Sequence, residues 1–124
     1  MARIRDVKLD IRVDGTPSSM CTVEYTITWS ALDISANLGY HAKVELWGDD
    51  WSNDFLTTLV KEDVYPNGQD TLTLTRQKLV SNGSLDEDPA WGDGDEFFAK
   101  VRLKDKGNQF PALERNSRNV NLSL

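Results

Sequence analysis

Apolar and polar positions alternate with a period of two along most of this chain, the spacing at which successive side chains of an extended strand point to opposite faces. Val7, Leu9, Ile11 and Val13 alternate with Lys8, Asp10 and Arg12, which predicts a strand with one wet face. After the Asp14-Gly15-Thr16-Pro17 turn, Cys21, Val23, Tyr25, Ile27 and Trp29 alternate with Thr22, Glu24, Thr26 and Thr28, a longer second strand. In the third, Tyr40, Ala42, Val44 and Leu46 form the inward set, and His41, Lys43, Glu45 and Trp47 the outward one. The apolar run Phe55 to Val60 reads as a short fourth strand. Pro66-Asn67-Gly68 is a turn signal, and Leu72 and Leu74 among threonines make a fifth strand. A long polar stretch, Ser81 to Asp95, precedes the sixth, whose inward residues are Phe97, Ala99, Val101 and Leu103; Val120, Leu122 and Leu124 supply the seventh.

No segment sustains 3.6-residue apolar spacing, and no internal repeat or low-complexity linker divides the chain. The expectation is an all-β antiparallel sandwich of seven strands, formed as one domain over residues 1–124. A length of 124 residues with 39% hydrophobic content suits one core. Its inward set should include Tyr25, Ile27, Trp29, Tyr40, Val44, Phe97, Val101 and Leu103.

Particular segments resemble the fibronectin type III modules, an immunoglobulin-like family. Tyr25-Thr26-Ile27-Thr28-Trp29-Ser30 is similar to the second strand of those modules, with its inward tryptophan. Leu38-Gly39-Tyr40-His41-Ala42-Lys43-Val44 is similar to the Gly-Tyr opening of their third, and Glu96 to Leu103 resembles their sixth. The resemblance implies two packed antiparallel sheets. Phe97 departs from it, standing where the family has a tyrosine whose hydroxyl caps a neighbouring corner, and the connection before Glu96 is longer than usual. The last loop, Asp105-Lys106-Gly107-Asn108, has no Arg-Gly-Asp tripeptide, so integrin recognition does not carry over. The architecture says little about activity, because sandwiches of this kind host many.

Charge narrows the partners. Fourteen basic residues against 20 acidic ones give a formal charge of −6, which repels nucleic acid and anionic membrane surfaces. The opening Met1 to Asp6 lacks the apolar stretch of a secretory signal, and no later stretch has the length of a transmembrane helix. Cys21, the single cysteine, cannot form an internal disulfide, which mildly favours a reducing compartment.

Catalytic chemistry finds little material. His41 is the single histidine, and by strand parity it points outward while Cys21 points inward on a strand that the resemblance assigns to the other sheet. The expectation is therefore a non-enzyme. The same shortage of histidine and cysteine excludes a structural zinc site.

The acids and tryptophans mark one end of the fold. Asp49, Asp50 and Asp54, and Asp86, Glu87, Asp88, Asp93, Asp95 and Glu96, occupy two segments free of lysine and arginine. In the resembling topology these segments and Asp14 converge at one pole. Clustered carboxylates repel unless neutralised, and calcium takes six to eight oxygen ligands from loops of this kind. Asp14, Asp49, Asp50, Asp54, Asp86, Asp88, Asp93 and Asp95 are the candidate ligands; the alternative is a solvated acidic loop, and no other cofactor is expected. Trp47, Trp51 and Trp91 belong to the same pole. Indole faces stack on pyranose rings, so these three are the candidate ligand-binding residues, against the alternative that Trp51 and Trp91 pack beneath their own loops. Two functions from different classes remain: a binding or structural module whose partner is a protein, and a carbohydrate-binding, lectin-like module using the acidic, tryptophan-bearing pole.

Overall fold

Strands that are wet on one face must pair edge to edge and cover their apolar faces against another layer. In the computed structural model, which describes residues 2–13, 17–49, 53–81 and 95–122, they do so as two antiparallel sheets. The elements are β1 (Arg3–Val13), β2 (Ser18–Thr28), α1 (Ala31–Ala36), β3 (Tyr40–Asp49), β4 (Asn53–Val64), β5 (Thr71–Ser81), β6 (Asp95–Asp105), β7 (Leu113–Asn116) and β8 (Val120–Leu122). One sheet has the order β1-β2-β5 and the other β4-β3-β6-β7, with β8 also paired to β6.

The inward sets expected of the second, third and sixth strands are buried, whereas Val13, on the apolar face expected of the first, is exposed at the strand's end. Val23, Tyr25, Ile27, Ala42, Val44, Leu46, Phe97, Ala99, Val101 and Leu103 are wholly inaccessible, and Trp29 and Tyr40 nearly so. Trp29 packs on Tyr40, with ring centroids 5.5 Å apart. The Tyr25 hydroxyl and Trp29 Nε1 are buried in this core without a hydrogen-bond partner among the described residues.

Four features depart from the expectation. The strands number eight among the described residues, because β7, with Leu113 as its one large apolar residue, carries no alternation to reveal it. The final strand is described over Val120–Leu122, and Leu124, expected in it, lies outside the described residues. Between β7 and β8, Ser117 holds the chain against β6: its N–H donates to the Ala99 carbonyl (2.8 Å), and its Oγ accepts from the Ala99 N–H (2.9 Å). One helical turn, α1, was absent from the expectation, since six residues are too few to show a 3.6 period. Ser30 and Asp33 close a capping box at its start, and Asn37 in the left-handed region (φ 46°) ends it.

β1 begins at Arg3 rather than Val7, and β4 extends well beyond Phe55 to Val60. Strict alternation through β1 would send Ile4 and Leu9 to opposite faces, yet both pack into one core. Asp6, with φ 54°, is the first residue of a bulge at which the pairing with β2 shifts by one between Arg5 and Lys8. β4 is bulged twice against β3.

The edges of β4 and β5 that pair with no other described strand are clasped by polar groups. Arg76 on β5 donates from Nε and Nη2 to the two carboxylate oxygens of Glu62 on β4, each at 2.8 Å, and Lys78 Nζ donates to the Thr58 carbonyl. No helix among the described residues is long and apolar enough to cross a membrane.

Candidate functional site

The solvent face of the larger sheet collects aromatic and cationic side chains in cross-strand register. Trp47 on β3 stands opposite Phe98 on β6 and Phe55 on β4, and one step along, Glu45 stands opposite Lys100. Directly opposed side chains on one face of an antiparallel pair lie close enough to interact. The Trp47 and Phe98 rings are stacked, with centroids 6.3 Å apart and planes inclined by 13°. Phe55 meets Trp47 edge-on at 5.9 Å, and the Lys100 ammonium sits 4.2 Å from the indole centroid. Phe98 is consequently only 4% exposed although its strand position faces solvent, whereas Phe55 remains 49% exposed. Below the indole, Glu45 is 7% exposed, ion-paired with Lys43 at 3.4 Å, and accepts a long 3.5 Å hydrogen bond from Trp47 Nε1.

At the other end of the same face, His41, Asp63, Tyr65 and Lys106 form a polar cluster. His41 Nδ1 lies 2.7 Å from Asp63 Oδ1; Lys106 Nζ lies 3.2 Å from Asp63 Oδ2 and donates to the Tyr65 hydroxyl at 2.8 Å. The His41 hydrogen bond, followed by that from Lys106, holds the Asp63 carboxyl below its ordinary range. Bonding to Tyr65 and then Asp63 raises the Lys106 ammonium, which therefore stays protonated and is no nucleophile. All these groups are substantially exposed to water, which screens their charges.

Cys21 lies apart from this cluster, buried on the inner side of β2 in the smaller sheet. Burial, with a smaller contribution from Asp10, pushes its thiol up to about 11, so it is protonated at neutral pH. Cys21 and His41 belong to different sheets and do not meet.

Strand ends assemble part of the acidic pole. Asn119 Nδ2 donates to Asp49 Oδ2 at 2.6 Å and reaches Glu96 Oε2 at 3.4 Å, which joins the β3 end, the β6 start and the β7–β8 connection. Asp54 is exposed on β4. Asp14, Asp50, Trp51, Asp86, Asp88, Trp91 and Asp93 lie outside the described residues, as does the Asp95 side chain. Among the described residues, no three His, Cys, Asp or Glu side chains are grouped so as to hold a metal ion.

Two features escaped the sequence reading. Asp33, 1% exposed, accepts from the Tyr40 hydroxyl (2.6 Å), the Ser30 N–H (2.9 Å) and the Ser30 hydroxyl (2.7 Å). Burial opposes its ionisation, but these donors outweigh it and hold the carboxyl below its ordinary value. The Ser30-x-x-Asp33 spacing was the available signal. The second is the seam where β1 passes alongside β7 and β8 without pairing to either.

No family model matches the chain, and no curated protein matches it. Among solved structures, it is similar to a crystal structure of a protein from Archaeoglobus fulgidus, with a TM-score of 0.50 and 15% identity over 98% of this chain and 99% of the other. It is also similar to the X-ray structure of a Northeast Structural Genomics Consortium target, with a TM-score of 0.46 and 9% identity over 98% of this chain and 85% of the other.

Proposed function

We propose that this chain is a non-enzymatic binding module of the immunoglobulin-like, fibronectin type III-like kind, formed as one domain and engaging a protein partner. The architecture is supported by the division of strands between the sheets, β1-β2-β5 against β4-β3-β6-β7, joined to the Tyr25–Ser30 and Gly39-Tyr40 resemblances. The observation that carries a binding role is the Trp47, Phe98 and Phe55 group on the solvent face, flanked by Lys100. Tryptophan and phenylalanine are enriched at protein interfaces, and a half-exposed Phe55 beside a half-buried tryptophan is an anchor awaiting cover. The carbohydrate-binding reading draws less support, since the Trp47 ring already engages Phe98, Phe55 and Lys100, and Trp51 and Trp91 lie outside the described residues.

A photo-crosslinking phenylalanine analogue placed at Phe55 tests the proposal in cells that make this protein. The expected result is one dominant protein adduct that disappears when Trp47→Ala or Lys100→Glu is added. Glycan-array binding by the unmodified chain that Trp47→Ala abolishes, with no protein adduct, would instead establish the carbohydrate reading.

A further inference from the structure

The seam between β1 and the β7–β8 edge departs most from what a sandwich requires. Arg115 pairs across β7–β6 with Val101, which is wholly buried, so it holds an inward-facing position on an edge strand where an apolar side chain would close the gap between the sheets. Arginine is exposed there instead. On either side of it lie recesses of about 560 and 500 Å3, both lined by Arg115. Their floor is apolar: Ile4 is buried, and Val7 and Leu9 of β1 are only partly covered. Their rim is cationic, with Arg3, Arg5, Lys8 and Arg118 all exposed.

Five of the 14 basic residues of a −6 chain therefore border this seam. The side chains of Arg3, Lys8, Arg115 and Arg118 enter no ion pair among the described residues. Glu114, one of the two acids of the seam, is bound by Arg102 and Lys100 on the outer face, which leaves its charge already matched. Along the seam, β1 also presents a strand edge that pairs with nothing among the described residues, where its one partner is β2. Cationic side chains and a bulge are common guards against edge-to-edge association. A guard does not need two recesses with a half-covered apolar floor.

We infer that the seam beside β1 is a docking groove for an extended acidic peptide that adds to the β1 edge, its carboxylates meeting Arg115 and Arg118 and its alternate apolar residues entering the two recesses. Strand addition draws affinity from main-chain hydrogen bonds and specificity from pockets for every second side chain. The stretch from Arg3 to Leu9, interrupted by the bulge at Asp6, offers at most about 20 Å of strand edge, room for a segment of about six residues. Local charge complementarity favours an acidic ligand, and the apolar floor at Val7 and Leu9 favours a peptide with alternate apolar side chains over a phosphate backbone. The groove is separate from the Trp47 face.

The probe is a ten-residue peptide alternating glutamate with valine, titrated into the full chain at low salt and followed by calorimetry and by backbone amide shifts. Binding is expected with shifts concentrated on Arg3–Leu9 and Leu113–Asn116. The double reversal Arg115→Glu/Arg118→Glu, at exposed positions and checked for an unchanged melt, should weaken it at least tenfold; Lys61→Glu, exposed on the outer face, should leave it unchanged. Absence of binding, or binding indifferent to the double reversal, would overturn the groove while leaving the Trp47 reading intact. So would equal binding of an acidic peptide with proline at every second position, which keeps the charge but cannot pair as a strand. Self-association abolished by the double reversal would replace the separate peptide with a second copy of this chain, and tighter binding of an RNA oligomer would replace it with a nucleic acid.

Discussion

Tyr40 is the residue on which two kinds of energy meet. Its ring fills the core against Trp29, and its hydroxyl donates to the buried Asp33 at 2.6 Å. Tyr40→Phe keeps the ring and deletes the donor, leaving a buried carboxylate with one fewer partner, so it should cost about 1.5–3 kcal/mol by chemical denaturation at neutral pH. The pH dependence has a definite sign. Because the folded Asp33 carboxyl lies below the ordinary aspartate value of about 3.9, its contribution is complete above that value and is lost as pH falls through the lowered one. Tyr40→Phe should therefore be less stable at pH 7 and show a shallower loss of stability as pH falls below about 4; an unchanged acid limb would remove Tyr40 from that role. Beside it, Gly39 is required for space: a Cβ there would lie 2.5 Å from Tyr65 Cε2 and 2.8 Å from Lys106 Cδ. Gly39→Ala should destabilise by about 1–3 kcal/mol, and Tyr65→Ala in the same chain should recover part of that loss.

At the scale of elements, β1 depends on one irregular residue. The bulge at Asp6 reverses which parity faces inward, so Ile4 on one side and Leu9 and Ile11 on the other share the core. The left-handed backbone of Asp6 suits an aspartate and penalises a β-branched side chain. Asp6→Val should cost about 1–3 kcal/mol in a denaturant melt, and Asp6→Gly should be close to neutral. The loop-borne helix α1 was hidden for a related reason: its stability comes from Ser30, Asp33 and the packing of Ile34 on the core, none of which produces a periodic pattern. The brevity of β7 likewise hid it, though Ser117 and the Glu114 ion pairs fix it firmly against β6.

For the molecule as a whole, the strand ends at Asp49 and Glu96 meet at Asn119, and calcium binding by the acidic segments that adjoin them is open to a direct test. A site of about 10 µM affinity meeting millimolar calcium would add about 2.7 kcal/mol to the folded state, several degrees in melting temperature. The measurement is a melt in calcium chloride against sodium chloride of matched ionic strength, since screening alone relieves repulsion in a −6 chain. Coordination requires that calcium exceed that control and that Asp88→Asn or Asp93→Asn abolish the excess. Identical melts would leave the acids as solvated loops.

What the sequence by itself determined is the inward set. Cys21 to Trp29, Tyr40 to Leu46 and Phe97 to Leu103 were legible because a one-residue slip would drive a whole row of apolar side chains into water, so alternation and burial had to agree. The outward position of Trp47 was legible on the same ground. Its stacking on Phe98 and edge-on contact with Phe55 were not, because cross-strand neighbours are set by pairing register, which composition does not encode, and the register of β4 is further displaced by two bulges. Tertiary structure alone brought Arg115 to the seam beside Val7 and Leu9, residues more than a hundred positions earlier in the chain. A charge reads locally as a solvated residue; only the packing of one sheet's edge against the other's decides that it stands over an apolar floor.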